Sequence, residues 1–249
     1  MLTAERQDSI LAQLARDGRV VVSELVTSLG VSEDTVRRDL HQLARAGLLQ
    51  RVHGGGLAPT SPPASFARRL KEAREEKAAL AAAALPLLTH ARVIVLDGGT
   101  TAAGVASLLP PSYDGVVVTN SPPAASALTS HADVEVVLIG GKLLKESQVA
   151  VGASAVEAFR TIRADVCVLG ICAFHPDVGV TAQDGDEAQV KRAMVACSGE
   201  VVALATADKL RAASPWVVAE LGDIDYLVTD GAEELTRPYA AAGIEVVSV

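Results

Sequence analysis

Aromatic residues are scarce in this chain of 249 residues, where Phe, Trp and Tyr together make up 3%. Hydrophobic residues nevertheless reach 49%, so the core must be built mainly from Ala, Val and Leu. Cysteine is also rare, and Cys167, Cys172 and Cys197 have no metal-ligand spacing. The sequence therefore predicts small buried hydrophobic cysteines, with no bound metal and no disulfide framework.

Long apolar runs are missing too. No stretch approaches the roughly 20 apolar residues that a membrane-spanning helix needs, and the first residues, MLTAERQDSI, are polar with a helical pattern. We therefore expect a cytoplasmic protein with no membrane partner. The nucleotide-binding patterns GxxxxGK[ST] and GxGxxG are absent, and no nucleophile elbow or catalytic triad stands out. No cofactor is expected.

The formal net charge of −8 is unevenly distributed. Residues 1–80 contain 12 Lys and Arg against 10 Asp and Glu, whereas residues 81–249 contain 10 against 20. Contacts to phosphates depend on local charge within a Debye length of about 8–10 Å. The acidity of the second part therefore does not exclude DNA binding by the first.

A recognition helix is predicted after Ser32, whose hydroxyl can cap the helix N-terminus. Apolar residues Val36, Leu40, Leu43 and Ala44 form one face at helical spacing. Arg38 lies on the opposite face, where polar side chains suit base edges and phosphates in a major groove. The candidate DNA-binding residues are Ser32, Thr35, Arg37, Arg38, His41, Gln42, Arg45, Arg51 and His53.

The segment after this helix predicts a wing. Residues 48–53 are typical of a short strand, and Gly54 to Gly56 of a tight turn. A helix over 3–16, a strand over 19–22 and a second helix capped by Ser23 come before. Together they predict a winged helix-turn-helix domain over residues 1–57, followed by a proline-rich linker over 58–66.

The remaining residues, 67–249, predict an α/β domain. A helical run over 68–85, whose charged first half suits a connecting, dimer-contacting or plain surface helix, is followed by seven short valine-rich runs. The predicted strands span 92–97, 115–119, 134–139, 165–169, 201–205, 225–229 and 244–248. Helical stretches lie between most of them, so we expect a doubly wound, mostly parallel sheet with helices on both faces.

Ligand chemistry is expected at the carboxyl ends of these strands. The first three strands end in DGGTT, TNS and GGK, and glycines and free N–H groups before a helix can hold a phosphate. A carboxylate–lysine pair lies on a later helix, which on its own suits a surface ion pair, and another follows the strand VVALATA. The candidate effector-binding residues are Asp97, Gly98, Gly99, Thr100, Thr101, Thr119, Asn120, Ser121, Gly140, Gly141, Lys142, Glu187, Lys191, Asp208 and Lys209.

The segments ERQDSIL and VSELVTSLGVSEDTVRRDLHQLARAGLLQRVHGGG resemble the DeoR family of bacterial transcriptional regulators, and the resemblance extends over nearly the whole chain. It implies that residues 20–39 are the helix-turn-helix proper. It also implies that DGGTT, TNS, GGK, the helix EAQVKRAM and the late Asp208-Lys209 line or border a sugar-phosphate pocket. The implied second-domain fold is similar to ribose-5-phosphate isomerase. One segment departs from the family's usual FxGAxGI pattern: residues 169–181 read LGICAFHPDVGVT. His175 in this segment suits an exposed loop residue or a contact to the ligand.

The function expected from these features is a transcriptional regulator that acts as a repressor of a carbohydrate-metabolism operon. Its expected partners are double-stranded operator DNA, a phosphorylated sugar and further copies of the chain, as a dimer or tetramer. One alternative is a sugar-phosphate isomerase with a DNA-binding appendage, using Glu187 or Asp208 as base. A second is a DNA-binding module whose α/β domain serves only dimerisation.

Overall fold

The computed structural model describes residues 2–52, 54–59 and 64–249. Three helices and three antiparallel strands form the N-terminal domain, with β3 between β1 and β2. Ile10, Leu25 and Leu40 lie at the centre of its core and are almost fully buried. This is the predicted winged helix-turn-helix arrangement. Its elements are α1 (Thr3–Asp17), β1 (Arg19–Val21), α2 (Val22–Leu29), α3 (Glu33–Arg45), β2 (Gln50–Val52) and β3 (Gly55–Pro59).

Two local predictions in this domain are wrong. The second helix begins at Val22, so Ser23 is inside it and does not cap it. Gly55 and Gly56 belong to β3 and not to the turn. A Cβ on Gly55 would lie 2.0 Å from the carbonyl oxygen of Val20. Glycine is needed there because β1 passes close by. Of the predicted turn residues, Gly54 has the positive φ of 80°.

The predicted helix over 68–85 is two helices, α4 (Phe66–Arg69) and α5 (Arg74–Ala84). The chain turns between them, and Ala73 has a left-handed φ of 47°. Lys77 donates to the carbonyl oxygens of Arg69, at the end of α4, and of Glu72, in the turn that follows. Of the predicted linker, Ala58 and Pro59 lie in β3, Phe66 begins α4, and residues 60–63 lie outside the described part. The domain boundaries stay a prediction.

All seven predicted strands form one sheet in the α/β domain. The sheet has the order β16-β15-β12-β9-β4-β5-β6, and each neighbouring pair is parallel. Its strands are β4 (Val93–Leu96), β5 (Val116–Thr119), β6 (Glu135–Leu138), β9 (Ala164–Gly170), β12 (Ser198–Ala205), β15 (Tyr226–Thr229) and β16 (Glu245–Ser248). From β4, the strands β5 and β6 are added toward one edge of the sheet. From β9, the strands β12, β15 and β16 are added toward the other edge. The carboxyl ends of β4 and β9 therefore flank a topological switch point.

Helices cover both faces of this sheet, as predicted. In β9, Val166 and Val168 face one apolar cluster, whereas Cys167 and Leu169 face the other. Successive side chains of this strand thus point to opposite faces of the sheet and belong to two separate hydrophobic cores. Helices α5, α6 and α7 pack on the first face and α8, α9 and α10 on the second. The bounds of those not yet given are α6 (Thr100–Leu108), α7 (Pro122–Leu128), α8 (Ala153–Arg160), α9 (Gly185–Ala196) and α10 (Glu233–Ala241).

Short strands outside the main sheet were not predicted. They form an antiparallel hairpin of β7 and β8, and a small sheet of β10, β11 and β14. A further strand, β13, pairs with β3 of the N-terminal domain. The bounds are β7 (Lys142–Leu144), β8 (Val149–Val151), β10 (Ala173–His175), β11 (Gly179–Ala182), β13 (Ala212–Ala213) and β14 (Trp216–Ala219). Short 3₁₀ turns occupy 85–88, 207–209 and 221–223.

Candidate functional site

A cavity of about 550 Å³ opens at the switch point, beyond the carboxyl ends of β4, β9 and β12. Its volume lies within the range typical of small-molecule sites. Eight of the predicted effector-binding residues line it: Gly98, Gly99, Thr100, Thr101, Glu187, Lys191, Asp208 and Lys209. The other lining residues are Ala64, Arg68, Arg69, Glu72, Ala73, Lys77, Ala102, Ser147, Gly170, Ile171, Cys172, Leu204, Thr206 and Ala212.

Asp97 lies behind the cavity wall and neutralises Lys191. Its Oδ2 accepts from Lys191 Nζ and, at 2.9 Å, from the N–H of Gly170. Lys191 is 4% exposed and also donates to the Gly170 carbonyl at 2.9 Å, with Glu187 Oε1 at 3.5 Å. Burial alone would lower the pKa of Lys191, but the carboxylates of Asp97 and Glu187 more than offset it and raise its pKa above the usual value. Lys191 is therefore a charged structural residue whose charge is already paired, not a surface lysine.

The TNS segment does not line the cavity. Thr119, Asn120 and Ser121 are fully buried. Asn120 Nδ2 donates to the carbonyl oxygen of Ala150 at 2.8 Å, and the Ala150 N–H donates to the Asn120 carbonyl at 2.8 Å. Ser121 caps α7 through the Ala124 N–H. These residues hold β8 against the end of β5. They lie outside the cavity lining because β5 is one strand away from the switch point.

The GGK segment also lies away from the cavity lining. Gly140 and Gly141 follow the edge strand β6, and Lys142 starts the hairpin of β7 and β8. The exposed Lys142 ammonium lies 3.5 Å from Asp186 on α9. At Gly141, a Cβ would lie 2.6 Å from the carbonyl oxygen of Val151, so this glycine permits the close return of β8.

Cationic side chains of α4 and α5 complete the cavity, and the sequence analysis missed them. Arg68, Arg69 and Lys77 line it together with Lys209. The Arg69 Nε is buried and has no hydrogen-bond partner among the described residues. Burial, with the nearby charges of Lys209 and Arg69, lowers the pKa of Lys77. The charged run RRLKEAREEK was the available signal, but sequence alone did not place it beside β12.

The segment that departs from the family pattern forms part of the cavity wall. Gly170, Ile171 and Cys172 line the cavity. His175 is not an exposed loop residue, because it lies in β10 with 1% exposure, and its Nδ1 accepts from the Asp177 N–H at 3.1 Å. Burial lowers the pKa of His175. Cys167 and Cys197 are buried, as predicted, and Cys172 is half-buried.

The hypothesised DNA-reading face of α3 is exposed. Arg38, His41 and Arg45 are exposed and make no hydrogen bond or ion pair with another described residue. Arg51 is exposed on β2. His53 lies outside the described residues.

Other candidates on this face have partners within the domain. Arg37 donates to Glu33 one turn earlier, with 2.8 Å between Nε and Oε1. Gln42 accepts from Gln7 of α1 at 2.7 Å. The Ser32 hydroxyl caps the helix through the Thr35 N–H, as predicted, and lies 2.9 Å from the Thr35 hydroxyl.

A buried ion pair orients α3 against α1. Asp39 is 3% exposed and accepts from both Nε and Nη2 of Arg6, which is 8% exposed. The hydrogen bonds that Arg6 donates to Asp39 raise the pKa of Arg6. The sequence analysis missed this pair, since its partners are 33 residues apart.

Within the part of the chain that the structure describes, no cluster of His, Cys, Asp and Glu could hold a metal ion. No helix in that part is long and apolar enough to cross a membrane.

Comparisons with known proteins agree with the two-domain architecture. The family model of the DeoR-like helix-turn-helix domain matches residues 6–61, and that of the DeoR C terminal sensor domain matches residues 72–231. The HTH-type transcriptional repressor GlcR of Bacillus subtilis (strain 168) is 34% identical over 92% of this chain and 89% of its own length. The glycerol-3-phosphate regulon repressor of Haemophilus influenzae is 31% identical over 92% of this chain and 90% of its own length.

A solved D-ribose-5-phosphate isomerase, in complex with phospho-erythronic acid, has 21% sequence identity and a TM-score of 0.39, over 55% of this chain and 53% of its own. The two curated relatives are regulators, not enzymes, and the isomerase alternative is not favoured. From its two matched domains and its relatives, the chain belongs to the DeoR family and is a DNA-binding transcriptional regulator with a helix-turn-helix domain and a C-terminal sensor domain.

Proposed function

We propose that this regulator represses a carbohydrate-metabolism operon and that a phosphorylated sugar in the switch-point cavity controls its binding to operator DNA. The observation that carries the proposal is the charge of the cavity. Besides Lys191, whose charge Asp97 pairs, four cationic side chains line it against three carboxylates, and a helix N-terminus opens into it. A small anion is the ligand that such a lining favours.

The phosphate would sit at the start of α6. The first N–H groups of a helix have no acceptor within it, and they carry partial positive charge. Gly99 has the positive φ of 109° that favours glycine, and a Cβ placed there would meet no atom within 4 Å, so open space lies beside the start of α6. Lys209 and Arg69, whose Nε has no partner among the described residues, supply cationic donors from elsewhere in the cavity lining.

The sugar hydroxyls would meet the polar groups deeper in the site. Glu187 Oε2 accepts from the Ser147 hydroxyl at 2.9 Å, which fixes the carboxylate while leaving lone pairs for a ligand. Asp208, held by the Thr206 hydroxyl, lies at the rim. Hydrogen bonds to the Thr206 hydroxyl and to Lys209 lower the pKa of Asp208, against burial, which would raise it. It is therefore an acceptor at neutral pH.

For DNA, the exposed face of α3 would enter the major groove, with Arg38, His41 and Arg45 reaching base edges or phosphates. Arg51 on the wing would contact the backbone. One such domain carries few cations, and two linked copies raise affinity through effective concentration. We therefore expect a homo-oligomer. The names of both curated relatives, each a repressor, support repression as the sign of regulation.

Calorimetric titration of the full chain tests the ligand. The panel contains glucose 6-phosphate, fructose 1-phosphate and glycerol 3-phosphate, each beside its unphosphorylated form. We expect one of the three phosphorylated compounds to bind, and we expect its unphosphorylated form not to bind. Lys209→Ala should weaken that binding about tenfold or more, since it removes a charge-assisted hydrogen bond.

Lys142→Ala is the matched control, because its ammonium pairs with Asp186 outside the cavity lining. It should leave the affinity unchanged. Equal losses in both variants would contradict the proposed phosphate position, and binding of no phosphorylated compound would contradict the ligand class.

A further inference from the structure

The wing is hydrogen-bonded to the α/β domain through its own strand. One edge of β3 pairs with β1 and the other with β2, and the end of β3 pairs in parallel with β13, where Ala58 is opposite Ala212 and Pro59 opposite Ala213. The Ala58 N–H also donates to the carbonyl oxygen of Gly18 at 2.9 Å. One small sheet therefore spans both domains.

The strand β13 is the end of a segment that begins in the cavity. We call residues 206–213 the coupling segment. Thr206, Asp208, Lys209 and Ala212 line the cavity, and Ala212 also belongs to β13. The residues of this segment that line the cavity are therefore within a few positions of β13, and Ala212 belongs to both.

Arg211 is the strained point of this segment, since it is a non-glycine residue with a φ of 58°. Its N–H donates to the Phe174 carbonyl at 2.8 Å and to the Tyr239 hydroxyl at 3.1 Å. The same hydroxyl donates to Phe174 at 2.6 Å. Arg211 also packs on α1, because a Cβ on Gly18 would lie 2.8 Å from its carbonyl oxygen.

A second connection runs parallel to the first. The cavity wall at Cys172 continues into β10, and Asp177 just beyond it forms an ion pair with Arg19 of β1. Both connections leave the cavity and end on β1 or β3. The recognition helix α3 lies between β1 and β3 in the chain, so a change in the pairing of these strands changes how the domain presents α3.

We propose that pairing between β3 and β13 is the switch through which the cavity controls the DNA-binding domain, and that Tyr239 is its positioning residue. The proposal rests on the proposed function for the identity of the ligand. An anion held by Lys209 changes the position of the coupling segment, and the change reaches β3 through Arg211. A ligand shifts such an equilibrium by its difference in affinity for the two arrangements.

Hydrogen exchange of the full chain, without ligand, tests the connection itself. Tyr239→Phe removes the hydroxyl that holds Arg211, so amides of 55–59 and 206–213 should exchange several-fold faster. Tyr113→Phe is the matched control, because the Tyr113 hydroxyl has no partner among the described residues. It should leave both segments unchanged. If Tyr239→Phe accelerates exchange in 206–213 but not in 55–59, the coupling is refuted.

A reversible cross-link separates coupling from general loosening. Ala58→Cys with Ala212→Cys places two thiols on paired neighbouring strands, within the Cα separation that a disulfide needs. In the Tyr239→Phe background, oxidation should restore slow exchange in 55–59 and reduction should remove it. Equal hydrogen exchange in residues 55–59 with the disulfide oxidised and reduced would overturn the proposal.

Glucose 6-phosphate, fructose 1-phosphate and glycerol 3-phosphate then serve as ligand probes on the reduced and oxidised chain. A compound that binds should alter exchange in 55–59 only in the reduced form. Binding with no change in 55–59 refutes the coupling. If none binds while Tyr239→Phe still reaches 55–59, the proposed ligand class fails and the coupling stands.

Discussion

Single buried charges determine much of how this protein is arranged. Asp39 and Lys191 are both charged residues on helices, and both are nearly fully buried in ion pairs, Asp39 with Arg6 and Lys191 with Asp97 and Glu187. A buried charge is tolerated when it is paired and hydrogen-bonded, and removing one partner leaves the other uncompensated. The two pairs therefore fix the orientation of α3 and of α9.

Asp39→Ala should destabilise the N-terminal domain, because it leaves the buried Arg6 guanidinium without its carboxylate. We expect its unfolding midpoint, followed by hydrogen exchange of residues 3–52 on heating, to fall by roughly 5 °C or more. Asp8→Ala, at an exposed position of α1, is the control. A midpoint equal to that of the control would show that the pair does not hold α3 in place.

Arg38 and Arg51 should affect DNA binding in different ways. If Arg38 reads a base, Arg38→Ala costs about 1–3 kcal/mol of specific binding. Arg51→Ala should weaken all sequences alike and lower the slope of log affinity against log salt by about 1. Gel-shift series over salt concentration, with an operator selected from random DNA, measure both. Intact operator affinity in Arg38→Ala would show that the assigned face is wrong.

At the scale of elements, the start of β4 depends on a side chain from its neighbour β9. Asp165 of β9 accepts from the N–H groups of Arg92 and Val93, each at 2.8 Å. These two backbone hydrogen bonds lower the pKa of Asp165. A carboxylate whose pKa is lower when folded contributes stability above its unfolded pKa, and this is lost as pH falls through the folded pKa.

Asp165→Asn should therefore lower the thermal midpoint of the α/β domain at neutral pH. The difference from wild type should persist down to about pH 4, near the unfolded pKa, and shrink below it. Asp133→Asn, at an exposed position, is the control. A difference that stays constant below pH 3 would contradict the assignment of Asp165 as the responsible group.

The main strands were predictable because each is a short valine-rich run, and β9 needs apolar residues on both faces. The layout of the cavity could not be predicted from the sequence. DGGTT and TNS look alike in the sequence, but β4 borders the switch point and β5 does not. The cations of α4 and α5 were also out of reach, because their place depends on a turn at Ala73 that no local pattern marks.

At the scale of the whole molecule, the two domains form one coupled system. The recognition helix belongs to one domain and the cavity to the other, and β3 is hydrogen-bonded to both. To reduce operator occupancy tenfold, an effector must favour the non-binding arrangement by about 1.4 kcal/mol. One charge-assisted hydrogen bond made in only one arrangement supplies energy of that size.

The central claim is that the cavity senses an anion and thereby controls DNA binding. The most direct measurement is operator affinity with and without the sugar phosphate that binds, for wild type and for Thr100→Asp. The aspartate places a carboxylate where the phosphate should sit. We predict that wild type loses affinity about tenfold or more with the sugar phosphate, and that Thr100→Asp keeps its operator affinity and loses the response. A Thr100→Asp protein that responds as wild type does, or a wild-type affinity that ignores a bound sugar phosphate, would contradict the account.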